Sequence, residues 1–204
     1  FDSPIDTDQF VAQVATDNYA AGQLAASRMG EILQGKGKIA EVAVEPGSAS
    51  TMAREKGFED KIAAASRGIR IADKQYGMAD FAQSLKVAEN MLTAAPDLSG
   101  MFSSNESSTV GALRALKGRT GVKLVGFDFS PQILEGLKDG TMDSVVVQDP
   151  FQMGYKSFVA AVTKLKGGTP ERIEDIAPAL VTKANVAQPD IQHRVNPDLE
   201  KYLK

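Results

Sequence analysis

Residues 122–131, Val-Lys-Leu-Val-Gly-Phe-Asp-Phe-Ser-Pro, decide the fold. Val122 to Phe127 reads as a strand. Asp128 stands at its carboxyl end, between Phe127 and Phe129. Ser130 and Pro131 then open a helix. The serine side chain can accept a free N–H of the first turn, and proline suits the first helical position because its missing N–H would be unbonded there anyway. A strand thus leads at once into a helix, with an aspartate at the switch.

The same alternation extends in both directions. Upstream, the pattern predicts a helix over 18–34, capped at Thr16-Asp17-Asn18 and ended by Gly35. Strands follow at 38–44, 69–73 and 99–103. Helices follow at 48–65, after the Pro46-Gly47 break, at 80–94 and at 105–117, closed by Gly118. The 80–94 segment carries Phe81, Leu85, Ala88 and Leu92 on one stripe. Downstream come a strand at 144–147, a second cap-proline pair at Asp149-Pro150, a helix to Lys166, and a last strand at 180–182. Strands that alternate with helices make βαβ units, and a parallel sheet needs helices on both faces. The predicted class is α/β, an open, doubly wound, mostly parallel sheet.

Composition narrows the function. The 204 residues are 43% hydrophobic and 24% charged, enough apolar material for a real core. Net charge is −3 and the pI about 5.3. The basic residues are scattered, and the densest group, Lys164 and Lys166, is small, so no nucleic-acid footprint is expected. With no cysteine, disulfide scaffolds, thiolate metal sites and cysteine nucleophiles drop out. The one histidine, His193, lies in a polar, tail-like stretch and reads as a solvated side chain. No apolar run is long enough to span a bilayer. The start at Phe1 reads as mature, clipped or engineered, without a signal peptide.

In open α/β sheets, ligands bind beyond the carboxyl ends of the strands. Standing there are Glu45, with Arg54 in the next helix, then Gln75 and Tyr76, then Ser103, Ser104 and Asn105, then Asp128, and finally Gln148 and Asp149. Asp, Asn, Gln and Arg suit a sugar, because their planar groups donate to or accept from hydroxyls, often in pairs, while an aromatic covers the ring's C–H face. The alternative is that several are helix caps; Asn105 and Asp149 would serve well there.

Catalytic motifs fail on inspection. Gly30 to Lys36 has phosphate-loop spacing, but Gly37 stands where the magnesium-binding hydroxyl belongs, and the run precedes a strand instead of a helix. No G-x-G-x-x-G follows a strand, no serine sits in a nucleophile elbow, and a triad would lack its base. Carboxylate-only chemistry stays open. No cofactor or metal is expected.

An ordered series of motifs carries a resemblance. Asp17-Asn18 with Ala21-Gly22, Arg54-Glu55-Lys56-Gly57-Phe58, Glu89 to Leu92, Asn105, Gly111 to Leu116, Val125 to Asp128, and Gln148-Asp149-Pro150 resemble the second lobe of ribose-type periplasmic sugar-binding proteins. The resemblance implies a two-lobed receptor of an ABC importer, not an enzyme, that closes on a sugar by a hinge motion. It implies sugar contacts at Asp2, Arg54, Asn105, Asp128 and Gln148, with Tyr76 as a further candidate. Its implied partners are a sugar, the ABC permease subunits and a chemoreceptor, and its implied location is periplasmic or lipid-anchored outside the cytoplasm. Two departures argue against a plain ribose binder. Ser3 follows Asp2 where the family has arginine, and the family's aromatic before the 80–94 helix aligns with Ala79, with Tyr76 and Phe81 nearby.

The family's first lobe has no counterpart in most of this sequence. Residues 8–148 with about 178–190 are therefore expected to form the second lobe. Residues 1–7 and 149–177 are expected to be remnants of the first, with hinge crossings near Thr7, Asp149 and Pro178, and the chain reads as a fragment. The apolar face of the 150–166 helix fits that view; packing of this helix on the main sheet is the alternative. Rival functions are the effector domain of a LacI-type repressor, a sugar-acting α/β enzyme and a ligand-free interaction module.

Overall fold

The computed structural model describes residues 1–201. In chain order the elements are β1 (Gln13–Thr16), α1 (Asn18–Ile32), β2 (Lys36–Ala43), α2 (Ala49–Ala65), β3 (Gly68–Tyr76), α3 (Phe81–Ala94), β4 (Gly100–Ser103) and α4 (Glu106–Ala115). They continue with β5 (Lys123–Phe127), α5 (Pro131–Asp139), β6 (Ser144–Val147), α6 (Pro150–Leu165), β7 (Ile173–Ile176), β8 (Ala179–Thr182) and α7 (Pro189–Val195).

Six strands form the main sheet in the order β3-β2-β4-β5-β6-β8. All neighbours are parallel except β8, which runs antiparallel to β6. Strand alternation sends side chains to opposite faces. Ile39, Phe102, Val125, Phe127 and Val146 therefore meet α1 and α2 on one side. Ala40, Val42, Met101, Leu124 and Val145 meet α3, α4 and α5 on the other. This is the doubly wound α/β sheet expected from the alternation.

α1 and α2 cross at unusually close range. A Cβ on Gly22 would lie 1.9 Å from the Arg54 carbonyl oxygen, and one on Gly57 would lie 2.1 Å from that of Tyr19. Only hydrogen fits at either point. That contact brings the start of α1 beside Arg54. Beneath it, Phe58 stacks on Phe102 with centroids 4.1 Å apart.

β1 and β7, neither expected from sequence, form a separate parallel pair, Gln13↔Ile173 to Thr16↔Ile176. Each is four residues long, with too little apolar alternation to stand out. α6 lies against them, and Val14, Met153 and Ile176 make a small core of their own. The chain passes between the two sheets after Thr16, after Gln148 and after Ile176. The outer face of α6 is open: Phe158 is 70% and Leu165 86% exposed.

The expected tail around His193 is in fact α7, a short helix opened by Pro189. His193 stays exposed, and its ring meets Phe151 edge-on at 5.7 Å.

Candidate functional site

The carboxyl ends of β2, β4, β5 and β6 converge where the chain also crosses from β1 into α1. Phe127 closes β5 and Asp128 follows with φ 67°, a left-handed conformation that L residues seldom take but aspartate tolerates. The turn is held from both sides. The Asp128 N–H donates to the Val146 carbonyl at 2.9 Å. The Thr109 hydroxyl of α4 accepts from the Phe127 N–H at 2.9 Å and contacts the carbonyls of Asn105 and Phe127.

This geometry sets the Asp128 carboxylate between three groups. Its Oδ1 accepts from Gln148 Nε2 at 2.6 Å, and its Oδ2 accepts from the Glu106 N–H, in the first turn of α4, at 3.1 Å. Arg54 Nη1 stands 3.9 Å from the same Oδ2. Gln148 is fixed in turn, since its Oε1 accepts from the Thr16 hydroxyl at 2.8 Å.

Arg54 is 4% exposed and held by two hydrogen bonds. Its Nε donates to Asn18 Oδ1 at 2.8 Å and its Nη1 to the Ser104 carbonyl at 3.0 Å. Its guanidinium carbon lies 3.9 Å from the centroid of the Phe127 ring, a distance at which the ring's negative face attracts a cation. Burial lowers its pKa, and the negative charges of Asp128, Asp2 and Glu55 oppose that shift. An arginine buried this way keeps its charge because acceptors and carboxylates surround it.

The structure thus brings Arg54, Asp128 and Gln148 together in one set: Gln148 is hydrogen-bonded to Asp128, and Arg54 stands in ion-pair range of the same carboxylate. Asp2 belongs to it electrostatically; its own N–H is tied to the Val14 carbonyl at 2.9 Å. Asn105 adjoins it but acts as the N-cap of α4. Its Oδ1 accepts from the Ser108 N–H at 2.9 Å and the Ser107 hydroxyl at 3.2 Å, while its two Nδ2 donors take no part in that cap. Tyr76 stands apart, at the end of the edge strand β3 with β2 and β4 between it and β5, and is 38% exposed.

Three residues hold roles that the sequence reading did not assign to them. Thr16, Asn18 and Ser104 hold Gln148 and Arg54 in place. Thr16-Asp17-Asn18 reads as one capping run, yet Asp17 alone caps, accepting from the Ala20 N–H at 2.9 Å. Asn18 turns inward to Arg54 and Thr16 to Gln148. Only the approach of β1, α2 and β6 reveals that split.

Rigid, opposed donors and acceptors of this kind are suited to hold a polyhydroxylated molecule. Among the described residues, no group of three or more His, Cys, Asp or Glu side chains could hold a metal ion. No described helix is long and apolar enough to cross a membrane.

A family model, the periplasmic binding protein domain, matches residues 1–169. The ribose import binding protein of Salmonella typhimurium is 32% identical over 159 residues, covering 77% of this chain and 53% of that protein. A carbohydrate transporter solute binding protein from Agrobacterium radiobacter, solved in complex with D-arabinose, superposes with a TM-score of 0.91 at 30% identity, over 96% of this chain and 69% of that one. An ABC transporter solute binding protein from Agrobacterium vitis with bound D-fucose gives 0.90 at 34% identity, over 95% and 69%. The chain spans about half the length of the curated relatives it matches. By sequence and by fold, this chain belongs to the periplasmic binding protein family.

Proposed function

We propose that this chain is the sugar-contacting second lobe of a solute-binding protein that captures a monosaccharide or related polyol and passes it to an ABC importer. The observation that carries the reading is the Arg54–Asp128–Gln148 set, held by Asn18, Ser104 and Thr16 at the carboxyl ends of parallel strands. Arg54, Asp128 and Gln148, with the Nδ2 donors of Asn105 and the charge of Asp2, are the proposed contacts to sugar hydroxyls. Tyr76, at the end of the edge strand β3, stands outside that set.

The proposed lobe comprises the main sheet and its helices. The β1–β7 pair with α6 is the proposed remnant of a first lobe, supported by its separate core and the open face of α6. The three passages between the sheets are then the hinge, the first at Thr16–Asp17 rather than near Thr7.

The bound sugars of the solved relatives and their role in import support a receptor over an enzyme or a LacI-type repressor. The proposed location is periplasmic or lipid-anchored outside the cytoplasm. The chemoreceptor expected as a further partner has no support in these relatives.

A thermal-shift screen of the full-length protein against pentoses, hexoses, deoxysugars and polyols tests the reading. One or a few sugars should raise Tm, since a ligand at about 100 times its Kd adds roughly 2.7 kcal/mol. No shift with any sugar would overturn it.

A further inference from the structure

Beneath the arginine lies a second set of charges that the sugar reading leaves unused. Glu55 follows Arg54 on α2, so their side chains leave the helix about 100° apart. Glu55 is 2% exposed, yet its carboxylate is well satisfied. Oε1 accepts from the Val44 N–H at 3.2 Å, just past β2, and from the Ser104 hydroxyl at 2.9 Å, just past β4. Oε2 meets Lys74 Nζ of β3 at 2.9 Å. Lys74 also reaches Glu59 at 2.7 Å. One carboxylate therefore ties α2 to three strands.

Ser104 is the joint between this knot and the site above it. Its hydroxyl donates to Glu55, its carbonyl accepts from Arg54 Nη1 at 3.0 Å, and the next residue is Asn105. Accordingly, we infer that Glu55 is a positioning residue of the sugar site, fixing through Ser104 where the Arg54 guanidinium and the Asn105 amide stand. The inference rests on the receptor reading above. A buried acceptor that engages several donors holds one geometry, and supporting contacts of this sort set how well a binding group is preorganised. Without that anchor, Ser104 can turn, and the firm side-chain partner left to Arg54 is Asn18, with Asp128 Oδ2 at 3.9 Å.

Two substitutions separate this role from a purely structural one. Glu55→Gln removes the charge and weakens the knot. Ser104→Ala keeps the charge and removes only the joint, so it also covers the case in which Glu55→Gln fails to fold. In the full-length protein, two quantities are measured: the Kd for D-ribose, D-arabinose or D-fucose, and solvent exchange of the Arg54 Nε–H by NMR. Each single variant should weaken binding about fivefold or more, and the double variant should be no weaker than the worse single, because both act on one path. Arg54 Nε–H exchange should quicken in both. Lower Tm with unchanged Kd and unchanged Arg54 exchange would overturn the inference, as would fully additive losses. If the unsubstituted protein binds none of the sugars, the receptor reading fails. Arg54 exchange then decides the positioning claim alone, and no change in Ser104→Ala overturns it.

Discussion

The guanidinium carbon of Arg54 lies over the ring of Phe127, 3.9 Å from its centroid, although the two belong to different layers, α2 and β5. The ring gives the buried cation a face to rest on while Asn18 and Ser104 fix its edges.

Phe127→Leu removes that face and leaves space below the arginine. Unfolding free energy should fall by about 1–3 kcal/mol, from lost packing and the lost cation–ring attraction. Sugar affinity should fall with it, because the guanidinium loses the face that supports it. Chemical denaturation and calorimetric titration of the full-length protein check both. Unchanged affinity would show that the stack serves stability alone.

Asp128 combines a proposed contact with a costly backbone. Asp128→Ala should weaken sugar binding at least about tenfold, roughly 1.4 kcal/mol. Asp128→Gly should weaken it as much, yet unfold later than the alanine variant by about 1 kcal/mol, since glycine takes a φ near 67° freely. Equal Tm values for the two variants would argue against strain at this turn.

Glu41 makes stability depend on pH. It is 1% exposed, and neither carboxyl oxygen has a hydrogen-bond partner among the described residues. Burial, then the charge of Glu59, push its pKa up to about 8; Lys74 pulls it down and Glu55 raises it further. Lys74 itself stays charged: burial opposes its ammonium, but hydrogen bonds to Glu59 and Glu55 outweigh that and raise its pKa. The unfolded chain releases the Glu41 proton near the ordinary value of 4.5, whereas the folded chain keeps it until about 8. Stability from this group is therefore lost progressively as pH rises from 4.5 to about 8, and is flat above that. Glu41→Gln should flatten this slope, which denaturant unfolding at several pH values would reveal. An equal slope in both proteins would mean that Glu41 is ionised throughout.

Gly22→Ala should be among the most damaging single-methyl additions in the chain. The new Cβ would meet the Arg54 carbonyl at 1.9 Å, so α1 and α2 must part. We expect a loss of about 3 kcal/mol or more, together with weaker sugar binding as Asn18 draws away from Arg54. Circular dichroism melts and titration test this; a variant with normal Tm would show that the helices can slide apart freely.

The sequence alone determined the layered α/β sheet and the row of polar residues beyond it. Both depend on local signals: strand runs, Ser130-Pro131 and Asp149-Pro150 at helix starts, and glycines at helix ends. Asp128, Gln148 and Asn105 were visible because strand ends are where a parallel sheet presents its ligands. Tertiary structure alone decided which of them act together. Asn105 is spent partly on a cap, Tyr76 lies at the sheet edge, and Thr16 and Asn18, which look like ordinary cap residues, together with Ser104 are what hold Arg54 and Gln148. It also decided that Gln13–Thr16 pairs with Ile173–Ile176. No local pattern encodes these pairings, because their energy comes from groups tens to more than a hundred positions apart that meet only once α1 and α2 have closed over the sheet.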